Sequence, residues 1–494
     1  MSSPPPNPSA ELPSSDRSQW RFHPITTPTE WTEEYRPNWF HPIHLGDVFK
    51  DGRYKVIRKL GYGAFSTVWL AIDEQVRRYA ALKVLSAKES ANTQELTIHQ
   101  RLAEFTPSQP GAKHVVALLD SFKHHGPNGI HLFLVFEPMG PSANSMAEHL
   151  SHKSPKANEP GSGRLDFLHQ NGIVHGDVQP GNLLFAVNVD LGSAEEEKLK
   201  QDFSQKQVIS EPPKRLDGKV DKWAPRYLAV AQSLTSYVDT SSAFTVKISD
   251  MGTAFWRDEP KKPVTPVGLR APELIFGDPF DQSIDVWSIG CLLFEFLTGT
   301  PLVMLCWGSN QLEECNDDHL LQLTDVLGDL PEEYFSRWAH TKKYFGPNRQ
   351  RIDPDPNAPI KEDEGCFDDP ESRSEPLEKF FCNEKPSDID EAKSSMIISL
   401  LRRILQYDPK NRPSAVDILE DPWFKIRHSC TKLPSISQSV VGNRVAPWAK
   451  HVVALLDSFR HHGPNGIHLC LVFEPMGPSS NSMAENFSQK PQGQ

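Results

Sequence analysis

A carboxylate and an amide five residues apart on one short loop, between apolar runs, make a pair suited to handling a phosphate and a divalent cation. Such a loop is Val174-His175-Gly176-Asp177-Val178-Gln179-Pro180-Gly181-Asn182-Leu183-Leu184-Phe185. In phosphoryl transfer a carboxylate accepts the proton of the attacking hydroxyl and an amide holds magnesium, so the two must sit a few ångströms apart on a rigid turn. Asp177 and Asn182 have that spacing. Ordinary Asx turns share it, so the companions along the chain decide its meaning. Lys83 lies inside the apolar run Ala80-Ala81-Leu82-Lys83-Val84, where an ammonium is costly unless it meets an anion. Glu95, on a helical segment from Asn92 to Phe105, is a candidate partner; a solvated helix face is the alternative. Asp250 ends the strand-like run Phe244 to Ser249 just before Met251-Gly252, a position that suits a second magnesium ligand facing Asn182. The chemistry requires Lys83, Asp177, Asn182 and Asp250 to converge on one metal-bound triphosphate.

Those side chains need elements to hold them. Tyr54 to Leu60 alternates as a strand, Gly61-Tyr62-Gly63-Ala64-Phe65-Ser66 turns, and Thr67-Val68-Trp69-Leu70 returns as another. Glycines at a hairpin tip let backbone amides approach phosphate oxygens closely, although a lone GxG is more often only a turn. His114 to Leu119 and Ile130 to Phe136 form a further strand pair joined by Gly126-Pro127-Asn128-Gly129. The following Glu137-Pro138-Met139-Gly140 has the character of a hinge whose backbone can meet an adenine edge. Further on, Ala271-Pro272-Glu273 precedes Asp285-Val286-Trp287-Ser288-Ile289-Gly290-Cys291, which opens an apolar helix reaching Leu297. Arg412 is a candidate to pair with Glu273 and lock a distant loop, and Asp421-Pro422-Trp423-Phe424 closes the domain.

The 494 residues, 38% of them hydrophobic, suffice for one large two-lobed domain or two ordinary ones with tails. A net charge of −12 argues against nonspecific nucleic-acid binding and suits basic partners. The seven cysteines, Cys291, Cys306, Cys315, Cys366, Cys382, Cys430 and Cys470, include no CxxC pair, so disulfides and structural zinc are not expected and a reducing compartment is. Met1 to Asp16 is Ser/Pro-rich without the apolar core of a signal peptide, and no run reaches membrane-spanning length. Residues 1–30 are expected to form a disordered leader, with folding starting at about Trp31. The expectation is a soluble intracellular monomer without direct nucleic-acid or membrane partners.

Taken in order, GxGxxS, Lys83, Glu95, HGDxxxxN, DMG, APE, DVWSIG and Arg412 resemble the eukaryotic protein kinase set, from about Gly46 to Phe424. Within that fold the likeness is to SR-protein kinases, particularly their fungal branch. It is carried by Gly46-Asp47, by Arg53 to Gly61, by Phe65 to Leu70, and by Asp318-His319 through Asp325-Val326-Leu327-Gly328. The resemblance implies an α+β, bilobal protein kinase fold: a small antiparallel β-sheet plus helix in the N-lobe (46–140) and a mainly helical C-lobe (141–424). It implies ATP and Mg2+ as cofactors, serines of arginine/serine-rich splicing factors as substrates, and a place in cytoplasm and nucleus. By position, Asp177 would orient the hydroxyl, Asn182 and Asp250 would hold magnesium, and Lys83 with Glu95 would set the phosphates. Leu60, Gly61, Tyr62, Gly63, Ala64, Phe65, Ser66 and Val68, with Glu137 and Met139 at the hinge, would enclose the nucleotide. Asp318 and Asp325, seven apart and so on one helix face, are candidates to dock an arginine-rich segment, with solvated surface as the alternative.

Several features depart from the family pattern. Gly176 stands where an arginine is usual, and Gln179 replaces the lysine that neutralises charge on the transferring phosphoryl group. That lysine's usual threonine partner would fall at Pro266, with Thr265 one residue too early. Between Gly140 and His175 the breakers of residues 151–163 leave only a truncated helix at about 150–168, and an insert occupies about 187–240. The tail, 429–494, repeats Lys113–Glu148 as Lys450–Glu485 with changes only at Lys123/Arg460, Phe133/Cys470 and Ala143/Ser480. One small lobe cannot use two strands and a hinge twice, so a segmental duplication or misjoined exon is the preferred account and competition for the hairpin site the other. The departures keep a second function in play, a non-catalytic pseudokinase that binds ATP or basic partners; a scaffold acting through the insert is a third.

Overall fold

Period-two alternation through residues 54–85 produces three successive strands, and these form the centre of one antiparallel sheet. The computed structural model describes residues 20–105, 109–150, 162–187, 196–201, 209–210, 212–238, 245–304, 312–352, 375–386, 389–425, 455–463 and 466–473. The first part of the leader, the breaker run 151–161, and Cys306, Cys366 and Cys430 therefore lie outside the described residues. The chain divides into two compact units, one of residues 1–141, 184–239 and 247–252, the other of 142–183, 240–246 and 253–494.

In the first unit, β1 (Val48–Phe49), β2 (Tyr54–Tyr62), β3 (Ser66–Asp73), β4 (Arg78–Leu85), β5 (Leu118–Gly126) and β6 (Gly129–Phe136) pair in the order β1-β2-β3-β4-β6-β5. Lys83 sits at the sheet's centre, opposite Val68 on one side and Leu134 on the other. One sheet face buries Tyr54, Val56, Trp69, Ala71, Leu82, Val84, Phe133 and Val135. The other carries Ala81, Leu85, Leu132, Leu134 and Phe136, as the alternation of β4 and β6 demands. Helix α1 (Glu95–Phe105) buries Glu95, Ile98, His99 and Leu102. After β6 the short strands β7 (Met139–Ser142), β9 (Leu183–Ala186) and β10 (Val246–Ile248) form a second sheet in the order β10-β9-β7.

Beyond its short pairing with β1, the outer edge of β2 carries no neighbouring strand among the described residues, and the insert covers it. The Gln201 amide N–H donates to Ile57 O, Gln201 Oε1 accepts from Lys59 N, and Gln232 N donates to Lys59 O. An edge strand leaves such groups unpaired unless something covers them, which gives this part of the insert a structural role that its composition did not announce. The leader likewise packs earlier than expected. Phe22 is buried and bridges to Arg215, Arg21 pairs with Glu33, and Glu30 is buried in an ion pair with Lys59 while accepting a hydrogen bond from Tyr35 Oη. Lys59 is an ammonium buried in β2, and Glu30 is its counter-charge. Folding therefore begins by Trp20, and residues 20–30 are not a disordered segment.

The second unit is built on helices. α2 (Ala143–Leu150) and α3 (Ser162–Gln170) precede β8 (Ile173–Val174), which pairs with β11 (Phe255–Trp256). α3 overlaps the end of the expected helix at about 150–168, whose residues 151–161 lie outside the described residues, and it buries Leu165, Phe167, Leu168 and His169. The core is α4 (Ser283–Thr298), apolar on nearly every face, packed with Leu377 and Phe381 and with Ile397, Leu400, Leu401 and Ile404 of the helix Glu391–Ile404. Gly290 belongs there because a Cβ would lie 2.6 Å from Ile404 Cγ2 and 2.8 Å from Leu405 Cδ2. In the tail, β12 (Leu455–Gly463) and β13 (Gly466–Phe473) pair with each other, Asp457 opposite Val472, in the register of Asp120 opposite Val135 in the first copy.

Candidate active site

Each unit carries one half of the chemistry. In the first, Lys83 Nζ lies 2.6 Å from Glu95 Oε1 and 2.8 Å from Asp250 Oδ1. Glu95 begins α1 and is 1% exposed, whereas the Asp250 side chain is 48% exposed. Burial alone would lower the lysine's proton affinity, but the Asp250 and Glu95 carboxylates outweigh it and raise the pKa above the ordinary lysine value. Lys83 is thus a fixed cation near neutral pH. Asp250 adopts φ 63°, which turns the chain at the strand's end, and Gly252 N donates to its Oδ1 at 3.2 Å.

The turn between β2 and β3 closes with Gly63 N donating to Ser66 O at 2.9 Å. A Cβ added at Gly61 or Gly63 would meet no protein atom within 4 Å, and neither residue has a positive φ. Such open backbone leaves room for a group to approach the loop closely, as a phosphate does. Tyr62 and Phe65 are exposed at the tip, and Ala64 lies between the two. Leu60 and Val68 pack against a buried apolar cluster that includes Ala81, Leu134, Phe136 and Met139, with Leu184 beside them. This surface has the apolar character a nucleotide base requires. Glu137 N donates to Ala117 O at 3.1 Å and its carboxylate pairs with Lys247 at 2.6 Å, so any recognition by Glu137 falls to its carbonyl.

In the second unit, Asp177 is buried (9% exposed) on the loop after β8. Its Oδ1 and Oδ2 accept hydrogen bonds from Gln179 Nε2 at 2.9 and 2.8 Å. Asn182 Nδ2 donates to Asp177 O at 2.8 Å and to Oδ2 at 2.9 Å. Because the Asn182 amide donates twice to Asp177, its orientation is fixed with the oxygen turned off the base. That oxygen and the Asp250 carboxylate are hard donors of the kind magnesium takes. The loop's backbone is held by Asp285 of α4, whose Oδ2 accepts from His175 N at 2.8 Å and from His169 Nε2 at 3.0 Å, while Oδ1 accepts from Gly176 N at 2.9 Å. Burial would raise the Asp285 carboxyl, but the His169 hydrogen bond and charge and the His175 amide hold it below the usual carboxylate range. Arg412 forks onto Glu273, Nη1 to Oε1 at 2.6 Å and Nη2 to Oε2 at 2.7 Å, with both side chains fully buried.

A family model described as the protein kinase domain matches residues 54–243 and 237–424. The chain is also 30% identical over 420 residues to the serine/threonine-protein kinase SRPK of Physarum polycephalum, covering 80% of this chain and 91% of the relative. The chain belongs to the SR-protein kinase family of protein kinases. Protein kinase dsk1 of Schizosaccharomyces pombe is 29% identical over 405 residues, 65% of this chain and 74% of the relative. SRSF protein kinase 3 of Mus musculus is 22% identical over 538 residues, 79% and 90% of the two. The protein is a serine/threonine kinase, and its fold is the α+β kinase fold.

Within this kinase the altered pair does not act as a pair. Gln179 turns onto Asp177, while Thr265 Oγ1 donates to Gly176 O at 2.8 Å. Asp318 and Asp325 share the helix Leu312–Leu327, both half-buried, Asp318 accepting from Gln322 Nε2 at 3.1 Å and Asp325 lying 3.8 Å from Arg351 Nη2. Three further members of the site carry a sequence signal of their own. Ala81 is two residues from Lys83 on a strand and so shares its face, Leu184 follows Asn182 by two, and Asp285 opens the DVWSIG run.

Proposed function

We propose that this kinase transfers the γ-phosphoryl group of Mg-ATP to serines of arginine/serine-rich proteins and thereby regulates mRNA splicing, in cytoplasm and nucleus. The observation that carries the reading is Lys83 held between Glu95 and Asp250, in a sheet whose glycine turn leaves open backbone at Gly61 and Gly63. Mg-ATP, when bound, supplies the phosphoryl group and the positive charge that steadies it. Asn182 and Asp250 would hold the metal, Lys83 the phosphates, and Leu60, Val68, Ala81 and Met139 the base. Asp177 accepts the serine's proton, and Gln179 and Asn182 hold its carboxylate in place. A chain of net charge −12 with Asp318 and Asp325 on one helix suits an arginine-rich substrate, in keeping with the name of the mouse relative, SRSF protein kinase 3.

The test is phosphate incorporation into an arginine/serine-repeat peptide by purified protein with Mg-ATP, against Asp177→Ala. Transfer by the wild type and none by the variant is expected. Persistence in Asp177→Ala would reveal a contaminant. A second reading, nucleotide binding without transfer, draws on Gln179, which lacks the charge of lysine. A thermal shift with Mg-ATP and no incorporation would establish it.

A further inference from the structure

We propose that Cys315 is a site of oxidative modification, a thiol that hydrogen peroxide converts to a sulfenic acid and that a small thiol such as glutathione then caps as a mixed disulfide. Cys315 lies near the start of the helix Leu312–Leu327, half-buried and in no disulfide. That helix packs against the short turn Val267–Leu269, and Arg270 follows the turn directly. Arg270 is half-buried, and its side chain makes one hydrogen bond among the described residues, from Nε to Thr265 O at 2.9 Å. No carboxylate pairs with it there, and a desolvated guanidinium without a counter-ion is costly. Burial pulls Arg270 below the ordinary arginine value, and Cys315 is the group that pushes it back up. An anionic sulfur supplies the missing counter-charge, and the anion is the nucleophile.

A second residue points to the same place. His319 lies one turn beyond Cys315 on the same helix face, and helical side chains lean toward the N-terminus, so its ring tilts back over the turn that carries the thiol. It is completely buried, and neither ring nitrogen has a hydrogen-bond partner among the described residues. Burial and then the Arg270 charge push it down to about 3, so the ring stays neutral, with one N–H and one bare nitrogen. It is no counter-ion for Arg270, but the oxygen of a sulfenic acid can meet either nitrogen. The carboxylates of the helix are committed elsewhere: Asp317 accepts from Trp338 Nε1 at 2.6 Å and Tyr344 Oη at 3.2 Å, Asp318 accepts from Gln322 Nε2 at 3.1 Å, and Glu313 and Glu314 are exposed. In the first step the thiolate attacks one peroxide oxygen: the S–O bond forms, the O–O bond breaks, sulfur is oxidised by two electrons, and hydroxide leaves to take up a proton as water. In the second the small thiol's sulfur attacks the sulfenic sulfur: the S–S bond forms, the S–O bond breaks, and the oxygen leaves as water with the thiol's proton.

The test uses the full chain, reduced and then exposed to hydrogen peroxide with a 1,3-diketone that traps sulfenic acids, the labelled peptides being quantified by mass spectrometry. Cys382 is the internal reference, because it is the more exposed of the two. Access alone would label Cys382 first; with Arg270 deciding, Cys315 should be labelled about tenfold faster. Equal or faster labelling of Cys382 would overturn the proposal. Arg270→Gln should slow Cys315 about tenfold and leave Cys382 unchanged, and Arg270→Lys, which keeps the charge, should stay within about threefold of the wild type. An Arg270→Gln protein with the wild-type melting profile and the wild-type Cys315 rate would overturn it as well. Should that variant not fold, the ratio of the two cysteines in the wild type still decides. Glutathione added after peroxide should leave one glutathione on Cys315, removable by dithiothreitol, and its absence overturns the capping step. None of these readouts uses phosphate transfer, so a failed labelling assay and a failed transfer assay are told apart.

Discussion

Arg412→Met tests how far the kinase's second unit depends on one guanidinium. All five N–H groups of Arg412 are engaged: Nε with Gln406 O at 2.8 Å, Nη1 with Glu273 Oε1 and Ser283 O, and Nη2 with Glu273 Oε2 and Tyr407 O. The guanidinium also lies 4.9 Å from the centroid of the Trp287 ring. Methionine fills much of the volume but leaves the Glu273 carboxylate buried and unpaired, which costs about 3–5 kcal/mol. Three carbonyls lose a donor as well, at roughly 1 kcal/mol each where water does not replace it. A loss of about 5 kcal/mol is expected, and at roughly 2–4 °C per kcal/mol the melting temperature should fall by about 10–20 °C. Calorimetry or circular dichroism measures this directly. The control is Arg412→Met with Glu273→Leu, which removes both charges and should recover about 3 kcal/mol. A single variant within about 1 kcal/mol of wild type would refute the reasoning, because a buried carboxylate cannot lose its bidentate arginine so cheaply; so would a double variant no more stable than the single.

Four further outcomes are expected. Gln179→Lys restores the charge beside the transferring phosphoryl group and should raise kcat about tenfold in steady-state assays, below the full few kcal/mol of such contacts because Thr265 bonds to Gly176 instead; an unchanged or lower kcat argues against it. Glu295 in α4 is pushed up to about 7 by burial. With a folded pKa above the unfolded one, its contribution is fully present below about pH 4.5 and is lost as pH rises to about 7, so Glu295→Gln should stabilise the protein at pH 8 by about 1–2 kcal/mol and not at pH 4, as denaturant melts would report. Deleting residues 429–494 should leave kcat and KM unchanged. Phe133 packs at 4.8 Å from both Phe49 and Phe122, and a copy with cysteine there would leave a hole costing about 3–4 kcal/mol. Cys470→Phe should therefore create competition for the hairpin site, seen as lost activity that the deletion reverses.

Much of the fold was legible because it depends on local pattern. Alternation in Tyr54–Leu85 sets the strands, and the apolar run from Asp285 to Leu297 sets the central helix. The halves of the site were legible for a related reason: Lys83 in an apolar strand advertises a cost that only a partner can offset, and Asp250 stands at a strand's end just before a glycine. What composition could not show is where a polar backbone edge finds its cover. The insert's Gln201 and Gln232 look like solvated residues until the edge of β2 is in place, and Glu30 looks like part of a Pro/Ser-rich leader until Lys59 is found buried beside it. Both contacts span long stretches of chain and carry no periodic signal.

The departures at the loop show the same limit from the other side. A motif records side-chain types, so Gly176, Gln179 and Thr265 register as losses: an arginine, a lysine and a correctly spaced threonine are missing. The supports that hold the loop run through the main chain, from the Asp285 carboxylate to the amides of His175 and Gly176 and from the Thr265 hydroxyl to the Gly176 carbonyl. A backbone acceptor is available at every residue, so a shift of one position in the donor need not break the contact, whereas a side-chain pair tolerates no such shift. A loop fixed through its backbone can therefore lose its usual charged neighbours and still present Asp177 and Asn182 in mutual contact. The electrostatic help that lysine would give is a separate quantity, and Gln179→Lys measures it without disturbing the backbone clamp.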